Sequence, residues 1–453
     1  MKRVVIIGGG ASGMMAAIQA ARAGAAVTLL EHNEKPGKKI LATGNGRCNL
    51  TNLVQEPSRY RSSQPDFPWK IITQYPLEDT LAFFSELGIY IKDRGGWVYP
   101  YSDQAASVAQ VLEMEARHQK VKVKTTEEVT DILREDDRYL VKTATWQYPC
   151  DSVIIACGSP ASNVEGSSAT GYALAEKLGH AIVKPLPSLC GIRGKDNYYP
   201  KWAGSRMDGR VILEVNGKII GQEQGEILFT EYGISGISVF QLSRYAVRGA
   251  AEGKTAVYHL DLIPKLTKEE LVQYLADRQR QNGTYKNPQE LLIGLLPKKI
   301  IDVLVKKTYE PEKIAEKLKD WQISVKGAYA LRQAQICSGG VDPEELTDHL
   351  ESRLYPGVYF AGEVIDVDGP CGGYNLQWAW SSGAVAGKAA AREGKYYDSY
   401  FTVKIAGGSY SGCTGEENLS AVKDKKRRAF FLEDCTPIPG CTEKAGFEIC
   451  LCG

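Results

Sequence analysis

Histidine is scarce. Only five occur in 453 residues, and none sits in an H-E-x-x-H pattern. No Ser/His/Asp set stands out either, so neither zinc hydrolysis nor a serine nucleophile is expected, and no metal site is. An excess of charge of one sign is also missing. Lys plus Arg total 55 and Asp plus Glu 54, a formal charge of +1. That balance leaves no electrostatic footprint for nucleic acid or an anionic membrane. No apolar run approaches the ~18 residues of a membrane span. The opening MKRVVII is interrupted by Gly8, too early for a secretory signal, and a cytoplasmic location is expected. The 11 cysteines include no C-x-x-C pair, which removes the usual disulfide-reductase motif.

What remains is a globular chain with 43% hydrophobic and 24% charged residues, long enough for two to four domains of roughly 100–200 residues each. Residues 3–31 read as a βαβ unit. Val4–Ile7 is a short β-branched run suited to a strand buried on both faces. Gly8-Gly9-Gly10-Ala11-Ser12-Gly13 matches G-x-G-x-x-G, Met14–Ala23 is Ala-rich and helical, and Gly24 is a helix stop. Val27–Leu30 is the second strand and ends at Glu31. Gly8 permits a tight turn, Gly10 a close approach to pyrophosphate, and Gly13 close helix–strand packing. The helix N-terminus offers N–H donors to phosphates, and Glu31 can accept from a ribose diol. This predicts a dinucleotide site without separating FAD from NAD.

The stretch KPGKKILATGNGRCNLTN, 35–52, follows at once. Its glycines expose backbone N–H groups. Lys38, Lys39 and Arg47 can meet phosphate charge, and Asn45 and Asn49 a polar ring edge. GGGASGMMAA followed by GNGRCNLTN resembles the HI0933-like family of bacterial FAD-dependent oxidoreductases. Further segments carry the resemblance: GWVYPYSDQAASV (96–108), GSSATGYALAEKLGH (166–180), LFTEYGISG (228–236) and, most fully, 338–383. Trp97 stands where the family commonly has Arg, and Glu231 where it has His. The resemblance covers roughly residues 1–395. It implies a Rossmann-like α/β FAD-binding domain of the two-dinucleotide-fold flavoprotein type, with an inserted β-rich domain and a helical subdomain.

On this reading FAD contacts come from Gly8, Gly10, Ser12, Gly13, Glu31, His32, Lys38 and Lys39, then from Gly44, Asn45, Gly46, Arg47, Cys48 and Asn49. Cys48 is expected to be a small residue packed on the cofactor rather than a redox thiol. Val129 is added, with Ala156 and Gly158 in VIIACGSPA, a turn like the A-T-G turn of such flavoproteins. Gly362-Glu363 stands where Gly-Asp is common, and Asp366 or Asp368 could do the same work. Gly373, Asn375 and Leu376 open a helix whose N-terminus would face the flavin pyrimidine and stabilise negative charge there.

The expected division is 1–187 FAD-binding domain, 188–262 inserted β-rich domain, 263–323 helical subdomain, 324–340 return of the β-rich domain, and 341–395 the rest of the FAD-binding domain. Thr267 with Glu270 predicts a capping box. Residues 396–453 form a Cys-rich tail of unassigned role. It carries the basic run Lys423–Arg428 and a Cys435–Cys452 spacing unlike common zinc sites.

With flavin present the protein needs only to position a substrate and move a proton. Tyr374, Tyr232 and Tyr99 lie in the matching motifs and are the candidate acids. The resemblance implies either NAD(P)H-dependent reduction of a conjugated C=C bond in a 3-oxo bile acid or oxidation of aminoacetone. The reductase, acting on an apolar enone small molecule, is favoured. NADH or NADPH would then be a transient donor, since no second G-x-G-x-x-G follows a strand. A flavin-bearing RNA-modifying protein is the alternative from another class.

Overall fold

The computed structural model describes residues 1–392 and the backbone of 401–405 and 408–412. The latter pair forms an antiparallel hairpin in a separate unit of the chain. Lys423–Arg428 and Cys435–Cys452 lie outside the described residues.

A five-stranded parallel sheet organises the first unit, in the order Val358–Phe360, Ser152–Ile155, Arg3–Ile7, Ala26–Leu30, Lys122–Lys124. Three adjacent strands read VVII, SVII and VYF over their buried positions, as sheets covered on both faces require. The first helix, Ala11–Arg22, leaves the first strand through Gly8, whose φ of +103° is left-handed. A Cβ at Gly13 would stand 1.8 Å from the Gly8 carbonyl oxygen, so helix and turn touch through backbone.

A long helix, Tyr374–Ala391, lies against the first. A Cβ on Gly383 would come within 2.4 Å of Ser12 O, and one on Gly387 within 2.4 Å of Ala16 O. Four residues forward on one helix match four forward on the other, so the two run parallel in direct backbone contact.

Between residues 192 and 328 the chain builds a closed six-stranded barrel. Its strands are Ile192–Gly194, Arg206–Val215, Lys218–Thr230, Gly233–Ser235, Ala256–Asp261 and Trp321–Ala328. The two longest are joined at Asn216-Gly217, both at positive φ (49° and 75°), the backbone of a tight hairpin turn. Trp202, Phe229 and Trp321 fill the barrel, with Trp202 4.7 Å from Phe229 and 5.3 Å from Trp321 between ring centroids. Helices at Lys268–Asn282, Lys298–Leu304 and Pro311–Lys319 lie between the fifth and last barrel strands. Thr267 accepts from Glu270 N–H while the Glu270 carboxylate accepts from Thr267 N–H. The chain re-enters the barrel at Trp321, a few residues before 324, because the tryptophan belongs to its core.

One more helix, Ile237–Ala251, joins the halves. Val239, Leu242 and Ala246 are buried in the barrel's own core. Gln241, Arg244 and Arg248 bond instead to Cys371, Asp368 and Ser338. Among the described residues no helix is long and apolar enough to cross a membrane.

A methyl group between the parallel helices has nowhere to go. Gly387→Ala is expected to destabilise the protein by about 1–3 kcal/mol, the usual range for overpacking. Urea denaturation followed by tryptophan fluorescence checks it, and an unchanged midpoint would contradict the close contact.

Candidate active site

The C-terminal ends of the parallel strands open into a cavity of about 540 Å³. In doubly wound sheets this is where ligands bind. Gly8, Gly10, Ser12, Glu31, His32, Lys38, Lys39, Gly44, Asn45, Arg47 and Asn49 line it, with Tyr99, Val129, Ala156, Gly158, Glu363, Gly373, Asn375 and Leu376. The structure thus gathers residues from distant parts of the chain at one surface.

Two helix N-termini face this space. Glycine is the cap residue of both, Gly10 for the first helix and Gly373 for the long one, so neither cap residue supplies a side chain to the first-turn N–H groups. Their free N–H groups and dipole ends are ready-made sites for negative charge. From the Ser12–Gly383 contact, the long helix begins about eight residues further toward the cavity than the first, roughly 12 Å at 1.5 Å per residue. One anion-binding end is therefore offset from the other along the cavity. An extended molecule with a diphosphate and a polar, electron-accepting ring fits that spacing, and FAD is such a molecule.

The carboxylates are fixed before any ligand arrives. Glu31 Oε2 accepts from Gly9 N–H (2.7 Å), and its Oε1 accepts from the backbone and side chain of Asn33 (2.8 and 2.7 Å). His32 Nδ1 stands 3.2 Å from the same Oε1. Glu31 therefore anchors the glycine turn while lining the cavity. Glu363 Oε2 accepts from Lys39 (2.7 Å), while Oε1 accepts from Ser159 (2.6 Å) and Cys337 N–H (3.0 Å).

Several expectations need correction. Lys38 and Lys39 line the cavity, but they are paired with Glu165 and Glu363 rather than left free for phosphate. Cys48 is fully buried and does not line the cavity; at φ +58° its N–H donates to Thr43 O and its thiol turns into the core. Gly13, Gly46 and Gly362 are also absent from the lining. Gly13 packs on Gly8, and Gly362 leaves room for Ser12 Oγ, 2.3 Å from where its Cβ would be. Asp366 and Asp368 flank Val367, which lines the cavity. Both acids are buried and absent from the lining, which leaves Glu363 as the one of these three carboxylates on the cavity side.

Of the three tyrosines, Tyr99 alone lines the cavity. Tyr374 turns away, edge-on to Tyr60 at 5.9 Å and beneath Arg59. Tyr232 stacks on Tyr329 at 3.8 Å between centroids. Asn49, with its amide nitrogen donating to Val98 O and Thr51 O, accepts from Gly373 N–H (3.1 Å) and so ties the 44–52 loop to the long helix.

The sequence reading missed part of the wall: Leu189, Ile237, Gln335, Ile336, Pro370 and Cys371. Pro370 and Cys371 sit inside the 338–383 segment that carries the resemblance, a signal that was available. The others come from the insert or its flanks, where no local motif marks them. Burial pushes the Cys157 and Cys371 thiols up to about 12, so neither is a thiolate at neutral pH.

Residues 2–389 match the profile of the HI0933-like protein Rossmann domain. The chain is 41% identical over 407 residues to a 3-dehydro-bile acid delta(4,6)-reductase of Clostridium scindens, covering 86% of this chain and 99% of that protein. It is 30% identical over 397 residues to a ribosomal RNA dihydrouridine synthase of Escherichia coli, covering 83% and 95%. Among solved structures, 3-ketosteroid delta1-dehydrogenase of Sterolibacterium denitrificans is similar with a TM-score of 0.47 at 12% identity, over 86% of this chain and all of that one. The chain belongs to the HI0933-like family of FAD-dependent oxidoreductases with a Rossmann domain.

Proposed function

We propose that this protein reduces a C=C bond conjugated to a carbonyl in an apolar enone of the 3-oxo-Δ4 steroid or bile-acid type, with NADH or NADPH as electron donor. The observation that carries the reading is the 41% identity along 99% of the bile acid delta(4,6)-reductase. The cavity chemistry agrees with it. Trp97, Leu189, Ile237, Ile336 and Pro370 provide apolar lining beyond the polar cofactor stretch, which suits a hydrocarbon ring system.

FAD, when bound, supplies the hydride that saturates the carbon β to the carbonyl. The chain's own task is to deliver a proton to the α-carbon and to keep water away. Tyr99 is the donor in this reading. Burial pushes its phenol pKa up, while Arg47 and Arg94 oppose the rise, and the net shift is upward. It therefore stays protonated at neutral pH and can give its proton. The Arg94 guanidinium lies 5.5 Å from the ring centroid and steadies the phenolate left behind. With no second dinucleotide fold in the sequence, the nicotinamide donor visits and leaves before the enone enters, which gives ping-pong kinetics.

A second reading rests on the 30% identity to the dihydrouridine synthase. The uracil C5=C6 bond is also conjugated to a carbonyl, so the same hydride and proton would serve. The net charge of +1 favours the small molecule, since RNA binding is dominated by phosphate contacts.

Four outcomes are expected. Mixed anaerobically with NADH or NADPH, the holoenzyme should lose its oxidised-flavin absorbance near ~450 nm and regain it on a 3-oxo-4-ene steroid. Recovery on unmodified ribosomal RNA alone would establish the second reading. Bleaching by aminoacetone alone, with peroxide formed in air, would make the protein an amine oxidase. Tyr99→Phe should lower the rate of enone-dependent reoxidation by about 10²–10⁴-fold. The wild-type rate should stay level through neutral pH and fall only as the upshifted phenol ionises, above the usual tyrosine value near ~10. An unchanged rate in the variant would remove Tyr99 from the chemistry. Glu31→Ala should purify with less FAD, read from the ratio of flavin to protein absorbance, because it loses both the ribose acceptor and the Gly9 anchor.

A further inference from the structure

Behind Val367 lies a cluster the reaction above does not use. Asp366 and Asp368 meet Arg61, Arg244 and Arg248 there, with side chains between 1% and 22% exposed. Three guanidinium groups face two carboxylates. Arg244 Nε donates to Asp368 Oδ1 at 2.7 Å. Arg248 lies 4.0 Å from Asp366 Oδ1, close enough to pair after a small shift. Arg61 is left sharing Asp368, at 3.9 Å, and its Nη2 is buried with no hydrogen-bond partner. A buried guanidinium donor without an acceptor is costly, and an excess buried charge more so.

The remaining question is what could reach it. Ile237, Gln241 and Tyr245 are spaced four residues apart on one helix and share one face. Ile237 is 54% exposed and lines the cavity; Tyr245 is 37% exposed. Arg61 and Arg244 lie 5.6 and 5.9 Å from the Tyr245 ring centroid. Gln241 Oε1 accepts from the N–H of Cys371, another lining residue. The Arg61 charge also acts on the Cys371 thiol, opposing the upward push of burial. A stripe therefore runs from the cavity to Arg61 along eight residues of helix, about 12 Å at 1.5 Å per residue.

We propose that Arg61 is an oxyanion subsite for the far end of the substrate. Resting on the enone reading, this narrows the substrate to an elongated apolar enone with a carboxylate about 12 Å from the cavity end of the stripe. A bile acid with a free side-chain carboxylate has that chemistry, and a neutral steroid lacks it.

The test uses 3-oxochol-4-en-24-oic acid and its methyl ester, titrated into the oxidised holoenzyme and followed by the flavin spectrum. The acid should bind about tenfold more tightly than the ester, as one charge-assisted hydrogen bond allows. The advantage should shrink as salt rises. In Arg61→Gln the ratio should collapse to about one, and Arg61→Lys should restore part of it. Equal binding of acid and ester by the wild type, or binding of neither, overturns the subsite. That comparison holds even where a variant does not fold. Turnover with NADPH is read separately: tight, acid-selective binding without turnover supports the subsite and overturns the enone-reductase reading.

Discussion

Two parallel helices touching through backbone set the geometry of everything else. Helices that meet through side chains stand about 8–10 Å apart. Gly383 and Gly387 remove the side chains on one partner, and Ser12 O and Ala16 O occupy the space. The sliding position of one helix against the other is thereby fixed, and with it the offset between two N-termini. A diphosphate and an electron-accepting ring need positive ends at a set separation. A sliding error of one turn would move one end by about 5 Å. The Gly8–Gly13 contact seats the first helix on the sheet by the same device, so the sheet, both helices and the cavity form one rigid frame.

The charges around that frame are arranged to cancel locally. Lys39 with Glu363 and Lys38 with Glu165 are paired at 2.7 Å, and Glu31 is held by Gly9 and Asn33. Partly exposed ion pairs contribute little to stability. Their value here is position: each side chain is fixed by the partner it already has. Helix ends, loop amides and the Arg47 side chain remain at the cavity beside these pairs. The helix ends and amides do not have to reorganise as charge develops, the condition for effective electrostatic stabilisation.

Much of this was legible in the sequence where backbone demands dictate residue type. The glycine spacing after the first strand, the polar 44–52 loop and the Gly372-Gly373 entry to the long helix each require particular backbone angles. Which way a side chain faces was not legible. Cys48 and Tyr374 sit in matching motifs, yet one turns into the core because its φ is +58°, and the other is drawn to Tyr60 and Arg59. Glycines 13 and 362 serve packing rather than lining, a distinction that spacing alone does not make. The apolar wall from Leu189, Ile237 and Ile336 comes from segments flanking or crossing the barrel, brought together only by tertiary folding.

The barrel contributes through its manner of attachment. Its sheet closes on itself and has no free edge to adapt, so it meets the FAD-binding half as a preformed body. The helix Ile237–Ala251 divides its faces between the two. The barrel side is apolar, whereas the other side is a seam of Gln241, Arg244 and Arg248 on polar partners. Replacing such a seam by hydrocarbon commonly costs no stability and can add some. The bile acid reductase and the RNA dihydrouridine synthase match this chain over 99% and 95% of their own lengths. Proteins named for such different substrates therefore align with 86% and 83% of this chain. Neither the glycine contacts nor the barrel core is built from the residues of this seam.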